Sequence, residues 1–290
     1  MFVRFVSVRL SKVLQNPVVV ARLTSASKIA VMTSAVATGY YLSRPTTTAR
    51  CDGLTDVAEN RAHPVLYQYK ICPFCHRVKA YLDYLKIDYD TVEVNPLTKS
   101  EIKFSKDHKK VPIAIIDGMT INESGAIIQQ ITEKYAKGKL PDSFFVDSEQ
   151  WLEWSEKKLA VMLYPNITRS FDESWECFGY ADDVHQWSAF QRMLVRASGP
   201  AAMYFANGRI KKKYNIVDER KELKEVLDVW TTALGNKKFL HGNELSLSDL
   251  MVFGTLRAIR DFQTFREVMA ENTTLKTWFD NVDDALTKRN

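Results

Sequence analysis

Val65-Leu66-Tyr67-Gln68-Tyr69-Lys70-Ile71-Cys72-Pro73-Phe74-Cys75 is the stretch that decides how this chain folds. Its first half is apolar and rich in strand formers (Val65, Leu66, Tyr67, Tyr69). Beyond it, Val78, Tyr81, Leu82 and Leu85 recur at helical spacing. The C-x-x-C therefore sits where a strand turns into a helix, which is the setting of a redox turn. Cys72 at the helix N-terminus meets unpaired backbone N–H groups and the positive end of the macrodipole, and both favour a thiolate. Pro73 suits the first helical position because its missing N–H would go unused there. Cys75 lies one turn up the same face and can attack a mixed disulfide on Cys72. A zinc half-site is the competing reading, but Cys51 and Cys177 form no second C-x-x-C. No metal site is expected.

Working outward, the pattern predicts a strand at 65–69, the turn, and a helix to about Leu85. A second strand follows at Tyr89–Val94, then a short basic helical stretch at 98–106. Val111-Pro112 opens a strand at Ile113–Ile116. Asp117-Gly118 is a tight hairpin signal before a strand at Met119–Ile121. Asn122-Glu123-Ser124 leads into an apolar-periodic helix, Ala126–Tyr135. The order β-α-β-α-β-β-α, with a Pro before the third strand, is the thioredoxin/glutaredoxin-like arrangement. After Gly138-Lys139-Leu140-Pro141-Asp142 strand signals vanish. Trp151, Trp154, Met162 and Leu163 repeat at helical spacing, as do Leu223, Val226, Leu227 and Trp230, and both stripes read as bundle core. Ser246-Leu247-Ser248-Asp249 reads as a capping box. The expected division is a leader at 1–50, a linker at 51–63, a thioredoxin/glutaredoxin-like domain at 64–138 and a helical domain at 148–290.

Charge separates the leader from the rest. The chain has 290 residues and a net charge of +5, yet residues 1–50 carry seven cations and no acid. Residues 51–290 then hold 33 basic against 35 acidic residues, a net of −2. A near-neutral body argues against nucleic acid as a partner. Segment 1–22, Arg-bearing and acid-free, reads as a mitochondrial presequence. The apolar run Ile29–Leu42 is short of the ~30 Å hydrocarbon core. It is a short anchor, an interfacial helix or part of the targeting signal, and membrane association through 29–42 is the expectation. A Golgi or other endomembrane location facing the cytosol is the alternative. A C-x-x-C with few other cysteines fits a reducing compartment.

A thioredoxin-like half, an all-helical half and the late S-x-x-D box together resemble the glutathione transferase fold. The resemblance narrows at Leu66–Lys70 leading into the C-x-x-C, Glu93-Val94-Asn95-Pro96, Glu101–Ser105 and Lys110-Val111-Pro112-Ile113. It continues at Pro165-Asn166, Ala201-Ala202-Met203-Tyr204, Leu247-Ser248-Asp249-Leu250 and Leu256-Arg257. Over residues 64–288 the chain resembles the membrane-associated prostaglandin E synthase type 2 family. The connection between the halves is shorter here than in vertebrate members. The resemblance implies an isomerase that converts prostaglandin H2 to prostaglandin E2 with glutathione bound, its small-molecule partner being prostaglandin H2 or another small hydrophobic substrate. It implies Cys72 as the catalytic thiol, with Tyr69, Phe74 and Cys75 beside it, and glutathione held by Val111, Glu123 and Ser124. It also implies a homodimer and membrane attachment through the N-terminus. Some members carry haem ligated through the glutathione sulfur.

The implied ligand set has a physical logic. Glutathione is a small extended peptide that can be read like an added strand. A cis Val111-Pro112 bond leaves the Val111 N–H and C=O free to pair with it. Ser124 at a helix start receives the γ-glutamyl carboxylate, and Glu123 meets the ammonium. Each has a plainer job open to it: an N-cap for Ser124, a strand-entry turn for Pro112. Tyr69 either orients the thiol or packs under the turn. His76 reads as a solvated helix residue rather than a thiol activator. The cations Lys103, Lys106, Lys109 and Lys110 with His108 read as solvated surface. The intact Cys75 keeps a second activity open, a glutaredoxin-like thiol–disulfide exchange, and a non-catalytic glutathione- or haem-binding role is the third reading.

Overall fold

In a computed structural model of the chain, the described residues are Ala49–Arg50 and 63–288. The presequence and the 29–42 stretch lie outside them. Everything described belongs to one compact unit spanning Thr48–Asn290.

The sheet has five strands in the order β1-β5-β4-β2-β3. These are β1 (Ala49–Arg50), β2 (Val65–Gln68), β3 (Asp90–Glu93), β4 (Ile113–Ile116) and β5 (Met119–Asn122). β2 and β3 run parallel, joined through helix α1 (Pro73–Leu85). β2 pairs antiparallel with β4, with Tyr67 opposite Ile113. β4 and β5 form the expected hairpin, Ile116 opposite Met119. Asp117 and Gly118 both take positive φ, at 51° and 73°, as a two-residue turn of this twist requires. Ala49–Arg50 stand at the end of what reads as leader. Their backbone pairs with Thr120 and Met119 and extends the sheet by an edge strand.

One local expectation is corrected. The 98–106 stretch is a single 3₁₀ turn, Ser100–Ile102. Asn95 accepts the amides of Leu97 and Thr98, and Glu101 turns back onto the Asn95 amide, so the backbone is bound locally before a helix can propagate. The helix expected at Ala126–Tyr135 is present, as α2 (Ser124–Ile131) continued by a wider helical turn at Thr132–Ala136. It starts at Ser124 because Glu123, at φ 68°, breaks the strand immediately before it.

The helical half comprises α3 (Ser148–Trp154), α4 (Ala160–Asn166), α5 (Phe171–Cys177), α6 (Ala189–Tyr214), α7 (Glu219–Leu234), α8 (Leu247–Arg257), α9 (Gln263–Glu271) and α10 (Thr273–Thr287). α8 is its axis, with Leu247 through Leu256 all buried, as expected of a helix apolar on every side. The Ser246–Asp249 capping box forms in full. Asp249 also accepts from the Leu240 amide at 3.0 Å and the Trp278 indole at 2.8 Å, so one buried carboxylate ties three segments together. Both tryptophan-bearing stripes are core, and Trp151, Trp230 and Trp278 stack edge to face at 4.8 and 4.9 Å. α8 lies directly on α1: at Gly254 an added Cβ would stand 2.6 Å from the Arg77 Cα and 2.7 Å from the His76 carbonyl. The two halves thus meet by backbone contact at the helix that carries the cysteines.

Candidate functional site

Cys72 is the residue before α1, extended at φ −86° and ψ 117°, with Pro73 in the first turn. Its amide donates to the Tyr69 carbonyl at 2.9 Å, closing the turn, and its carbonyl accepts the Cys75 and His76 amides at 3.1 Å. Both cysteines are buried and free. The two sulfurs divide the work. A hydrogen bond from the Cys75 thiol, then the backbone amides of Cys75 and Phe74 and the charge of Arg77, hold the Cys72 thiol below its ordinary value against the opposing cost of burial. Burial and the Cys72 sulfur push the Cys75 thiol well up. Cys72 therefore carries the more acidic of the two thiols, and Cys75 donates a hydrogen bond to it.

β4 is entered through a cis peptide bond, Val111-Pro112. Among the described residues nothing engages the Val111 N–H or C=O, since the β4 register begins at Ile113. At the start of α2 no side chain caps the helix, which leaves its first amides open. Ser124 does not act as a plain N-cap: its hydroxyl accepts from Arg77 at 3.0 Å. Glu123 is exposed beside it.

Arg77 escaped the sequence reading. Its side chain is fully buried and donates to Ser124 Oγ at 3.0 Å, Ser155 Oγ at 2.9 Å and Glu156 Oε1 at 2.9 Å. Ser155 and Glu156 belong to a wide helical turn, Ser155–Leu159, in the helical half. One guanidinium therefore joins the cysteine helix, the start of α2 and the second half. It also stacks over Phe74 at 4.8 Å. In the sequence it is one more helix cation, since its partners stand 47 to 79 residues away.

Glu93 was missed as a site residue in the same way. It is buried at the end of β3 and accepts from the Lys70 amide at 2.6 Å and from Gln68 at 3.1 Å, fixing the segment that enters the turn. Burial pushes its carboxyl up to about 7. His76 is no solvated residue. Its Nε2 donates to the Lys70 carbonyl at 2.7 Å, and burial, then Lys79 and Arg257, hold its pKa well below the usual imidazole range. A neutral His76 pins the loop instead of activating a thiol. Tyr69 packs in a small cluster around Val94, Ile102 and Ile113. Burial and the two cysteines raise its hydroxyl to about 12, which makes it a neutral donor facing the sulfurs. Lys103, Lys106, Lys109 and Lys110 are exposed, as expected. A polar cleft of about 400 Å³, lined by Asp83, Lys86, Arg257 and Asp283 among others, opens at the far end of α1 and contains no thiol.

This geometry has known counterparts. Residues 66–139 match the glutathione S-transferase N-terminal domain, and residues 194–283 match its C-terminal domain. Prostaglandin E synthase 2 of Danio rerio is 32% identical over 266 residues, covering 76% of this chain and 70% of that protein. The chain belongs to the prostaglandin E synthase 2 family. The Mus musculus member is 26% identical over 275 residues, covering 78% of this chain and 71% of its own. The cysteine-bearing part is also similar to glutaredoxin 1 of Rickettsia conorii, 34% identical over 67 residues, which are 22% of this chain and 66% of that one.

Solved glutathione transferases share the fold. A glutathione S-transferase III in apo form superposes with a TM-score of 0.51 at 22% identity, covering 78% of this chain and 95% of that one. Transferase F7 of Populus trichocarpa does so at 0.51 and 19%, covering 78% and 96%. The architecture is thus a glutathione transferase fold, with a thioredoxin-like N-terminal half and a helical C-terminal half. Among the described residues no helix is long and apolar enough to cross a membrane.

Proposed function

We propose that this protein binds glutathione between Val111, the start of α2 and Cys72, and isomerises prostaglandin H2 to prostaglandin E2. The observation that carries the reading is the asymmetric sulfur pair: a Cys72 thiol lowered by Cys75 at a helix start that no other side chain caps. The name of the family members supplies the substrate. Glutathione would lie extended along Val111, as an added strand, with its γ-glutamyl carboxylate on the open amides of α2.

The reaction needs no external oxidant or reductant. The Cys72 thiolate attacks the oxygen on C9, the O–O bond breaks, and the oxygen on C11 leaves with the electron pair and takes a proton from the Cys75 thiol. Loss of the C9 proton then returns the S–O electron pair to Cys72, leaving a C9 carbonyl, a C11 hydroxyl and the thiolate. That C9 proton restores Cys75. Tyr69, neutral beside the sulfurs, is placed to donate to the departing oxygen. The haem of the resemblance would be held through glutathione sulfur; His76, the imidazole next to the motif, is committed to the Lys70 carbonyl. No step above uses it. The acid-free basic leader places this activity, in our reading, at a mitochondrial membrane.

One observation favours a second reading. The close Cys72–Cys75 pair and the glutaredoxin-like stretch also suit thiol–disulfide exchange. The test uses the full chain, Cys72→Ser and Cys75→Ser with prostaglandin H2 and glutathione, and separately with a glutathione mixed disulfide. Prostaglandin E2 made by the wild type, reduced at least 100-fold in Cys72→Ser and within about tenfold in Cys75→Ser, where the serine hydroxyl still donates to Cys72 and Tyr69 supplies the proton, is the expected result. Spontaneous breakdown products alone, with rapid reduction of the mixed disulfide, would replace isomerisation by exchange.

A further inference from the structure

The helical half reaches the reactive turn at a second place besides Arg77. β3 is an edge strand of the sheet, so its outer backbone groups have no neighbouring strand. The link between α5 and α6, residues 178–188, supplies a side chain instead. Gln186 Oε1 accepts the Glu93 amide at 3.0 Å, and its Nε2 donates to the Thr91 carbonyl at 3.2 Å. Trp187 is buried and donates its indole N–H to the Glu93 carbonyl at 3.3 Å. Two consecutive residues of the helical half thus hold both backbone groups of Glu93. The link itself is firmly seated. Trp187 meets the Tyr180 ring at 6.4 Å, and Tyr180 stacks on Phe178 at 6.3 Å. At Gly199 of α6 an added Cβ would stand 2.4 Å from the Phe178 ring.

Inward of Glu93 the contacts run on to the thiol. Its carboxylate accepts the Lys70 amide at 2.6 Å, while His76 holds the Lys70 carbonyl at 2.7 Å. Lys70 stands two residues before Cys72. Glu93 is therefore a joint, with its backbone on the helical half and its side chain on the turn. The groups that face its carboxyl are Gln68 on β2, Tyr69 and Lys70 in the turn, Lys79 on α1 and Tyr180 in the link. The hydrogen bonds that favour the Cys72 thiolate come from Phe74 and Cys75, in the first turn of α1. They act only while the residues before α1 keep the sulfur against that helix end. The plainer job for Gln186 and Trp187 is to cover an edge strand, which would affect stability and leave the thiol unchanged.

We infer that Gln186 and Trp187 are positioning residues for the Cys72 thiol, acting through Glu93 and the Lys70 peptide. The inference rests on the proposed function only in taking Cys72 as the reactive thiol. The test is the rate of Cys72 alkylation by iodoacetamide in the reduced full-length protein from pH 5 to 9, resolved from the other cysteines by tandem mass spectrometry. Gln186→Ala is an exposed change and should leave the circular dichroism as it is. It should move the midpoint of Cys72 reactivity up by about 0.5 pH unit, which is about threefold slower alkylation at pH 6. Trp187→Phe keeps a ring and loses the indole donor, and should do the same. Glu93→Ala should slow Cys72 by about tenfold at that pH. Glu93→Gln is equally uncharged but still accepts from the Lys70 amide, and should return the rate to within about twofold of wild type. Cys72 profiles unchanged in Gln186→Ala and Trp187→Phe would overturn the inference. So would a Glu93→Gln variant as slow as Glu93→Ala, because charge and not the Lys70 hydrogen bond would then act on the sulfur. These rates need no prostaglandin H2, so failure of the isomerase reading leaves the test standing.

Discussion

Replacing Glu93 with Gln removes the one carboxylate that fixes the entry to the reactive turn without removing its geometry. Gln can still accept from the Lys70 amide, which Glu93 does at 2.6 Å. The wild-type carboxyl is 7% exposed, and burial raises it from 4.5 to about 7 in the fold. Between those values the folded protein holds a proton that the unfolded chain has released, so stability must fall as pH rises through that window. At about 1.36 kcal/mol per pH unit, the rise from 4.5 to about 7 makes Glu93 about 3 kcal/mol less favourable above pH 7 than below pH 4.5. Gln carries no such slope. Urea unfolding of wild type and Glu93→Gln at a series of pH values from 5 to 8 isolates the difference, because every other titrating group is common to both. The Gln variant should be close to wild type near pH 5 and gain on it steadily, reaching about 2–3 kcal/mol near pH 8. Parallel stability profiles across that range would refute the argument. They would mean that Glu93 stays ionised in the fold and that its hydrogen bonds outweigh its burial.

Two further substitutions probe the joint between the halves. Arg77→Met leaves Ser124, Ser155 and a one-third-exposed Glu156 without their donor. It should cost about 3 kcal/mol in urea unfolding, the low end for a broken buried pair because Glu156 can rehydrate. It should also weaken glutathione binding by about tenfold in calorimetry, because Ser124 loses the group that positions it. Gly254→Ala puts a Cβ 2.6 Å from the Arg77 Cα, where only backbone could yield. Overpacking of about 3 kcal/mol, less about 1 kcal/mol of helix propensity gained, predicts a net loss of about 2 kcal/mol. Thermal unfolding should then show a midpoint lower by roughly 4–8 °C.

The parts of this protein that could be read from its sequence are those whose cause is local. The strand–turn–helix around Cys72, the Asp117-Gly118 hairpin, the Ser246 capping box and the tryptophan stripes each rest on residues a few positions apart, and each is present. The interrupted strand at Val111-Pro112 and the helix start after Glu123 were legible for the same reason, whereas glutathione at these positions is what the family resemblance implies. What stayed hidden is what tertiary contact creates. Lone charges such as Arg77 and Glu93 look solvated until partners far along the chain, or one strand over, bury them. Gly254 looks like a weak spot in a helix until α1 is laid against it. His76 looks free until the turn brings the Lys70 carbonyl to its ring. These four hidden residues share a consequence. Arg77, Gly254 and His76 lie on, or directly against, the first turns of α1, and Glu93 and His76 grip opposite ends of the Lys70 peptide just before Cys72. The local motif supplies a reactive sulfur, and the long-range contacts decide how rigidly it is held. A family that shares the C-x-x-C but varies those contacts can therefore tune thiol acidity and glutathione affinity without touching either cysteine.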